Sequence, residues 1–335
     1  MTRDKINAIF IIVLMVSMGC STKIIDIHKD KQNFGIVIHG GSGNFKKENQ
    51  TTDNILAYEN ALTTAVEAGY TVLENGGSST EAIEVAIKFL EDSPLFNAGK
   101  GSVYNSNGDI EMDASIMDGK TLDAGAVAGV QTIRNPISLA KSIMENSEYI
   151  LLNNDGALEF AKKYGIPTED AEYFKTELRY KKYLKAKKND KAELDHDDKM
   201  GTVGAVAIDK QGNIAAGTST GGLNYKKFGR IGDSALIGAG TYADNKTCGI
   251  SCTGLGEYFI KTSAAYNVSS LMSNLRLDLK DAIHKVLFEE IKPLGGRGGI
   301  IGIDKHGTIV VDKTTTGMYR AYKSSKMPLT VKIFD

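Results

Sequence analysis

One segment of this 335-residue chain reads Lys199-Met200-Gly201-Thr202-Val203-Gly204-Ala205-Val206, and it joins a long charged stretch to an abrupt apolar strand. A backbone break before Thr202 would give one residue both a nucleophile, its Oγ, and a base, the new α-amine. The pKa of such an amine is about 7.7–8.0, so it can accept the Oγ proton near neutral pH. The simpler interpretation is a Gly-Thr step into a β-hairpin, and these eight residues leave both open.

Glycine turns separate apolar strands on both sides of this junction. Residues 207–214 lead to Thr218-Ser219-Thr220-Gly221, and residues 302–309 lead to Thr314-Thr315-Thr316-Gly317. Each stretch predicts an antiparallel hairpin across a polar glycine turn. The first hairpin would bring Thr220 back towards Thr202. The second shows that such threonine runs can be merely structural.

Helical and extended patterns alternate in the rest of the chain. The predicted strands are 35–39, 103–104, 111–117, 125–130 and the stretch around 248–253. The predicted helical regions are 55–75, a helix capped by Ser78 and Glu81, 135–164, 255–266 and 278–291. Helices at both ends with strands between them favour sheet packed on sheet inside helical layers. The charged residues of about 175–200 predict a solvated linker.

Composition excludes some classes of function. The chain has 40 basic and 41 acidic residues, so its net charge of −1 provides no basic footprint for nucleic acid.

Cys248 and Cys252 lie four residues apart in a predicted strand, about 13 Å apart. A disulfide needs Cα atoms within about 7 Å, so both are expected to be free thiols. The cysteines and histidines form no metal-ligand pattern.

The first residues have the pattern of a secretory signal. Arg3 and Lys5 precede an apolar run, Ile9–Met18, that is too short to span a bilayer and ends at Gly19-Cys20. This pattern resembles a bacterial lipoprotein signal over 1–20, with lipidation at Cys20 and a polar tether over 21–33. We therefore expect an exported protein, membrane-anchored or periplasmic. The bulky Met18 leaves plain secretion or a buried N-terminal segment as alternatives.

Further sequence blocks accompany the Gly-Thr junction in a fixed order. They are Ile38–Gly43, Pro94–Gly101, Met112–Gly119, Gly217–Gly222, Gly229–Ser234, Gly238–Ala243 and Ser251–Glu257. In order and spacing, from about residue 34 to 322, they resemble the plant-type (type III) L-asparaginase and isoaspartyl peptidase family of N-terminal-nucleophile hydrolases. A single Gly-Thr is weak evidence, whereas this many blocks in one order is strong.

The resemblance implies an α+β fold, a four-layer αββα sandwich in which residues 34–335 form one domain. Cleavage between Gly201 and Thr202 would divide it into an α-subunit, 34–201, and a β-subunit, 202–335. The implied enzyme removes N-terminal β-aspartyl residues from dipeptides and hydrolyses L-asparagine. The implied assembly is an (αβ)₂ heterotetramer that takes small-molecule substrates.

The resemblance also assigns roles to individual residues. Thr202 is the implied nucleophile and Thr220 its support, while Thr253 and Gly254 hold the oxyanion. Arg230 and Asp233 would clamp the α-carboxylate and α-ammonium of the substrate, since a guanidinium binds a carboxylate bidentately. A surface ion pair is the alternative for these two. The other residues implied to line the substrate site are Thr253, Gly254, Gly256 and Asn97.

No cofactor is implied to be required, but relatives wrap a structural or activating alkali cation, Na⁺ or K⁺, with backbone carbonyls. The corresponding residues here are Leu90, Glu91, Ser93, Phe96, Ala98 and Lys100. His39 is interpreted as packing at a strand end, because the nucleophile carries its own base.

Two alternatives remain. Glycosylasparaginase, a sibling enzyme, typically has an acidic residue where this chain has Gly201, and Thr220-Gly221-Gly222 also favours the isoaspartyl type. The other is a non-catalytic surface lipoprotein that binds amino acids, which the intact set of predicted catalytic residues disfavours.

Overall fold

Two β-sheets form the centre of the molecule in a computed structural model that describes residues 33–190 and 201–334. The strands are β1 Gly35–Gly43, β2 Met112–Asp118, β3 Ala124–Val130, β4 Leu151–Asn153, β5 Val203–Ile208, β6 Ile214–Thr220, β7 Thr241–Ala243, β8 Cys248–Gly254, β9 Gly298–Asp304, β10 Ile309–Lys313, β11 Gly317–Ser324 and β12 Thr330–Lys332. The larger sheet has the order β12-β11-β1-β5-β6-β2-β3-β4, and the smaller has β10-β9-β8-β7.

Helices cover the outer face of each sheet. They are α1 Thr52–Glu74, α2 Ser79–Glu91, α3 Pro136–Asn146, α4 Asn154–Lys163, α5 Ala171–Phe174, α6 Glu177–Asn189, α7 Gly256–Lys261, α8 Ala264–Leu275 and α9 Leu279–His284, which continues as a π-helix, Lys285–Ile291. The first three pack on the larger sheet, α8 and α9 pack on the smaller, and the two sheets pack on each other. The predicted four-layer αββα sandwich is confirmed.

Local chemistry accounts for the helix starts. Ser78 and Glu81 form the predicted capping box of α2, in which each side chain bonds the other residue's backbone N–H. The Thr51 side chain caps α1.

The region 135–164 is not one helical stretch, because the short strand β4 separates α3 from α4 and pairs in parallel with β3. Three residues are too few for strand periodicity to show in the sequence.

The charged segment before the Gly-Thr junction, predicted as a solvated linker, is helical over most of its described length, from Glu177 to Asn189. Helix α6 buries Arg179, Tyr183 and Ala186. Their spacing of four and three residues places them on one narrow face, which the many lysines around it conceal. Arg179 donates a hydrogen bond from Nε to the Gly101 carbonyl, and the Tyr183 ring packs near Tyr104. Residues 191–200 lie outside the described residues.

Both described cysteines are free and fully buried, as predicted. Cys248 and Cys252 point from β8 into the apolar layer under α8 and α9. Burial raises the pKa of the Cys248 thiol to about 12, because the thiolate would lose its hydration. These thiols therefore act as small apolar groups.

Candidate active site

Thr202 lies where β5 begins, and the hairpin register brings Thr220 opposite it. Val203 pairs with Ser219 in the antiparallel ladder, so Thr202 and Thr220, one step further out, meet at the end of these two central strands. Thr202 Oγ1 donates a hydrogen bond to Thr220 Oγ1 at 3.2 Å and lies 3.4 Å from Ser234 Oγ. Ser234 was not predicted as a site residue, although it directly follows Asp233 in one of the sequence blocks. Three hydroxyls thus meet in one buried place.

Gly201 occupies a space that admits no side chain. A Cβ on Gly201 would lie 2.5 Å from Thr253 Oγ1 and 3.2 Å from the Gly41 Cα. Gly41 itself has a φ of +107° and would place a Cβ 2.4 Å from the Gly201 nitrogen. Glycine at both positions is therefore required for the backbone before Thr202 to pass between the irregular end of β1, around Gly41, and β8.

The Thr253-Gly254 step ends β8 next to the Gly-Thr junction. Gly254 has a φ of +153°, and a Cβ there would lie 2.3 Å from the Arg297 carbonyl oxygen, so only glycine suits this step. Thr253 Oγ1 is buried and has no hydrogen-bond partner among the described residues. Its closeness to Gly201 puts a free hydroxyl beside the predicted scissile bond.

Asn97 holds the turn that follows Thr220. Its Nδ2 donates to the Gly222 carbonyl at 2.8 Å, and its Oδ1 accepts from the Val103 N–H at 3.1 Å. The Gly222 N–H in turn donates to Thr220 Oγ1 at 3.0 Å. Asn97 therefore both lines the cleft and keeps Thr220 in place.

The predicted clamp residues lie at the wall of the same cleft. Arg230 donates from Nε and Nη2 to the two carboxylate oxygens of Glu257, at 2.9 and 3.1 Å. Glu257 was not predicted as a partner of Arg230, although it ends one of the sequence blocks. Gly256 lies against the clamp, because a Cβ there would be 2.7 Å from Asp233 Oδ1 and 2.9 Å from Arg230 Nη2. The Arg230 guanidinium thus already binds one carboxylate, that of Glu257, through two hydrogen bonds.

Asp233 is buried, and its Oδ2 has no hydrogen-bond partner among the described residues. Burial raises the pKa of its carboxyl to about 7, while the nearby Arg230 opposes this shift. A group with this pKa is poised to ionise when a cation arrives. An α-ammonium placed against Oδ2 would supply that cation.

The cleft brings most of the predicted site together. Its lining residues are Asn97, Gly201, Thr202, Thr220, Gly222, Leu223, Arg230, Gly232, Asp233, Ser234 and Gly254. Thr253 and Gly256 lie directly behind this lining, beside Gly201 and Asp233 respectively. A nucleophile, hydroxyl donors and a charged clamp in one cleft can perform acyl transfer on a small amino acid derivative.

The predicted cation loop lies between α2 and the Gly99–Gly101 turn. Several of its carbonyl oxygens crowd against the two glycines: a Cβ on Gly99 would be 2.3 Å from Glu91 O, and one on Gly101 would be 2.0 Å from Phe96 O and 2.9 Å from Pro94 O. Such hard oxygen donors suit an alkali cation. Pro94 is an addition to the predicted set.

The other predicted members of that loop make contacts of their own. Leu90 is buried at the end of α2, the Ser93 Oγ accepts from the Leu95 N–H, and the Ala98 carbonyl accepts from the Gly101 N–H. Lys100 places its ammonium 4.7 Å from the Tyr173 ring centroid.

The Glu91 side chain is buried behind the site. Its Oε1 accepts from Ser219 Oγ at 2.6 Å and from the Ile137 N–H at 3.1 Å. Burial raises the pKa of this carboxyl to about 8, and the bond from Ser219 only partly offsets that effect. The folded protein therefore holds a proton on Glu91 at neutral pH. Its hydrogen bond with Ser219 fixes β6 at the residue before Thr220.

Glu91 is expected to make the folded state less stable as pH rises. Its pKa is about 8 in the folded state against about 4.5 ordinarily, so the stabilisation is complete below pH 4.5 and is lost as pH rises through 8. Glu91→Gln keeps the acceptor and removes the titration. The difference in unfolding free energy between variant and wild type should therefore shift in favour of the variant between pH 5 and 9, by on the order of 2–4 kcal/mol.

Urea denaturation of both proteins at pH 5, 7 and 9 measures this shift. All other groups are the same in the two proteins, so the difference isolates Glu91. An unchanging difference across these pH values would show that Glu91 is ionised in the folded protein.

Comparison with known proteins identifies relatives along nearly the whole described chain. A family model described as asparaginase matches residues 32–333. An isoaspartyl peptidase of Escherichia coli (strain K12) is 45% identical over 294 residues, covering 86% of this chain and 92% of the relative. A plant-type L-asparaginase of Pyrococcus furiosus is 42% identical, covering 87% and 97%. An isoaspartyl peptidase/L-asparaginase of Homo sapiens is 42% identical, covering 87% and 94%.

The predicted location, exported and either membrane-anchored or periplasmic, is wrong. The relatives provide the finding against it, since their names are those of peptidases and asparaginases and none refers to secretion or to a membrane. Among residues 33–190 and 201–334, no helix has both the length and the apolar character needed to cross a bilayer. Residues 1–32, which include the predicted signal segment and Cys20, lie outside the described residues.

Proposed function

This chain belongs to the asparaginase family, and from that premise we propose that it is a self-cleaving threonine amidohydrolase. It removes N-terminal β-aspartyl residues from dipeptides and hydrolyses L-asparagine to L-aspartate and ammonia. The names of the relatives support both activities. The observation that carries the proposal is the meeting of Thr202 with Thr220 and Ser234 in the cleft that also holds Arg230 and Asp233.

Self-cleavage begins with Thr202 Oγ attacking the Gly201 carbonyl carbon. The C–O bond forms, the Gly201–Thr202 amide bond breaks, and the Oγ proton ends on the departing nitrogen, which becomes the α-amine of Thr202. Water then hydrolyses the ester and frees the new carboxylate of Gly201. The close passage of Gly201 between Gly41 and Thr253 supports this step, because it holds the scissile bond in the cleft that Thr202 and Thr220 line.

Substrate hydrolysis repeats the same chemistry on a new carbonyl. The α-amine of Thr202 takes the Oγ proton, Oγ attacks the side-chain carbonyl of the aspartyl group, and the proton passes to the leaving amine or ammonia. Thr253 and Gly254 donate to the oxyanion of the tetrahedral intermediate. The buried Thr253 Oγ1, without a partner among the described residues, is suited to this task. Water completes the cycle by cleaving the acyl-enzyme ester.

The clamp selects the α-amino acid end of the substrate. Arg230 takes the α-carboxylate, and Asp233 takes the α-ammonium through Oδ2. Because Nε and Nη2 of Arg230 already bind Glu257, the substrate either uses the free Nη1 or competes with Glu257. Binding of the ammonium stabilises ionised Asp233, whose pKa of about 7 otherwise leaves much of this carboxyl neutral near pH 7.

The space around Gly201 argues against glycosylasparaginase, which typically carries an acidic residue at this position. Gly201→Ala is expected to slow self-cleavage at least about 10-fold, because the added Cβ would push into Thr253 Oγ1 and the Gly41 turn. Gly156→Ala is a matched control, since Gly156 lies in α4 without a positive φ and a Cβ there would meet nothing within 4 Å. Time courses on denaturing gels measure the rate, and cleavage of Gly201→Ala at the wild-type rate would show that the clash is relieved.

An alkali cation, Na⁺ or K⁺, is part of the proposal. The crowded carbonyl oxygens of Glu91, Pro94 and Phe96 support it. The ion would rigidify the loop that carries Asn97 and, through Asn97, the turn after Thr220. Thermal melting in choline, sodium and potassium chloride at equal ionic strength tests it: a higher Tm in one alkali salt is expected, and identical curves would contradict it.

The assembly is proposed as an (αβ)₂ heterotetramer, in line with the resemblance to the family. Light scattering on the purified protein should give the mass of two full chains. A mass of one chain would contradict this assembly.

The experiment that tests the proposed function combines two readouts. Purified protein on a denaturing gel should show two fragments, the smaller beginning at Thr202 by N-terminal sequencing. The cleaved protein should release leucine from β-Asp-Leu and not from α-Asp-Leu. Full activity in a persistently uncut chain would refute the mechanism.

A further inference from the structure

A line of buried hydroxyl groups connects the two sheets behind the cleft. Ser115 Oγ lies 2.8 Å from Thr241 Oγ1, which donates to Thr218 Oγ1 at 2.5 Å. Thr218 Oγ1 lies 2.8 Å from Ser251 Oγ. All four side chains are fully buried. They alternate between strands of the larger sheet, β2 and β6, and strands of the smaller, β7 and β8. We call these four residues the hydroxyl line.

Both ends of the hydroxyl line reach the surroundings of Thr202. At one end, Ser251 Oγ lies 2.9 Å from His39 Nε2, and the His39 ring approaches the backbone of Thr202. At the other end, Ser115 Oγ donates to the Ser234 carbonyl at 2.7 Å, and Ser234 Oγ lies 3.4 Å from Thr202 Oγ1. One end of the hydroxyl line therefore lies near the backbone of Thr202, and the other end lies near the Thr202 side chain.

His39 has the properties of a fixed, neutral link in this arrangement. It is fully buried on β1, opposite Gly204 in the ladder with β5. Burial lowers the pKa of its imidazole to about 3, so the ring is uncharged at neutral pH. Its Nδ1 is buried and has no hydrogen-bond partner among residues 33–190 and 201–334. The ring therefore has one nitrogen that bonds Ser251 and one that is buried and unpaired, with the Thr202 backbone nearby.

The surrounding layer is apolar, which makes the hydroxyl line exceptional there. The two sheets otherwise meet through residues such as Val37, Val206 and Ile301. Apolar side chains of similar volume could fill the same space without any need for hydrogen bonds, whereas buried hydroxyls lose hydration and must all be paired. Packing alone does not explain why four hydroxyls and a histidine occupy this layer.

We propose that the hydroxyl line and His39 are positioning residues for the nucleophile. His39 orients the backbone of Thr202, Ser234 orients its Oγ, and the hydroxyl line keeps the two in register across the sheets. This inference rests on the proposed function, because it assumes that Thr202 Oγ is the attacking atom. We expect its effect on kcat, since in the described part of the chain no side-chain hydrogen bond joins His39 or the hydroxyl line to Arg230 or Asp233.

Thr218 provides the sharpest test because it lies in the middle of the line. Thr218→Val keeps the shape and removes the hydroxyl, whereas Thr218→Ser keeps the hydroxyl and removes a methyl group. For hydrolysis of β-Asp-Leu we expect Thr218→Val to lower kcat about 10- to 100-fold with KM within about twofold. Thr218→Ser should stay within about threefold of wild type.

The pattern expected from a merely structural role is different. If Thr218 only packs, the serine variant should lose as much kcat as the valine variant or more, in step with its Tm, and this result would overturn the inference. Wild-type kcat in Thr218→Val would overturn it as well. If Thr218→Val does not fold, Ser251→Ala tests the next link by the same measurements. A kcat lowered about 10-fold or more in that variant would support the inference, and a wild-type kcat would overturn it.

The wild-type protein separates this inference from the proposed function. A wild type that is uncut and inactive on β-Asp-Leu would refute the proposed function. If the wild type is cut and active and Thr218→Val is fully active as well, only the positioning role of the hydroxyl line is refuted.

Discussion

Thr202→Ala is expected to remain a single uncut chain and to lose hydrolysis of β-Asp-Leu by about 10⁴-fold or more. The variant lacks the Oγ that attacks Gly201 during maturation and the substrate carbonyl afterwards. It also never exposes the α-amine that serves as the base. One missing oxygen therefore removes nucleophile and base together. Denaturing gels and a leucine-release assay measure the two losses.

Two further variants sharpen this test. Thr202→Ser retains the hydroxyl and should still be cut, since the attacking atom is present. Thr315→Ala removes a hydroxyl from the similar threonine run after β10, where Thr315 Oγ1 donates to the Gly317 carbonyl. That variant should be cut and active like the wild type. Cleavage of Thr202→Ala at the same bond would show that another group performs the attack.

Arg230→Ala is expected to lower kcat/KM for β-Asp-Leu by about two orders of magnitude or more, because removing one partner of a buried charge pair costs about 2–5 kcal/mol. The Arg230 side chain is mostly covered and lies at the wall of the cleft. Arg230→Lys should recover only part of the loss, since an ammonium cannot bind a carboxylate through a planar fork. Self-cleavage should continue in both variants, because it needs no α-carboxylate.

Lys227→Ala is the matched control for this loss of charge. Lys227 lies three residues before Arg230 and pairs with Asp190 at 2.8 Å, away from the cleft lining. Its removal should change kcat/KM by no more than about twofold. If Lys227→Ala and Arg230→Ala had equal effects, the general positive charge of this loop, and not a specific clamp, would govern substrate binding.

Much of the site was predictable because its chemistry depends on residue type and local order. A Gly-Thr step before a strand indicated the nucleophile, and the hairpin after it indicated that Thr220 would return to Thr202, which the register confirms. The four layers followed from the resemblance and from the alternation of helical and extended patterns. The free cysteines followed from the geometry of a strand. The location was predicted wrongly from the first 20 residues, whose composition resembles a signal without establishing one.

Residue type and order along the chain therefore predict which groups are candidates for the reaction. The surroundings of these groups become visible only in the folded protein. Glu257 on the Arg230 fork, Glu91 under Ser219 and His39 against Ser251 join residues 27, 128 and 212 positions apart. The same holds for α6, whose buried face is recognisable only against Gly101 and Tyr104. Burial and hydrogen bonding depend on distances in space, and residues far apart in sequence acquire those distances only when the sheets pack.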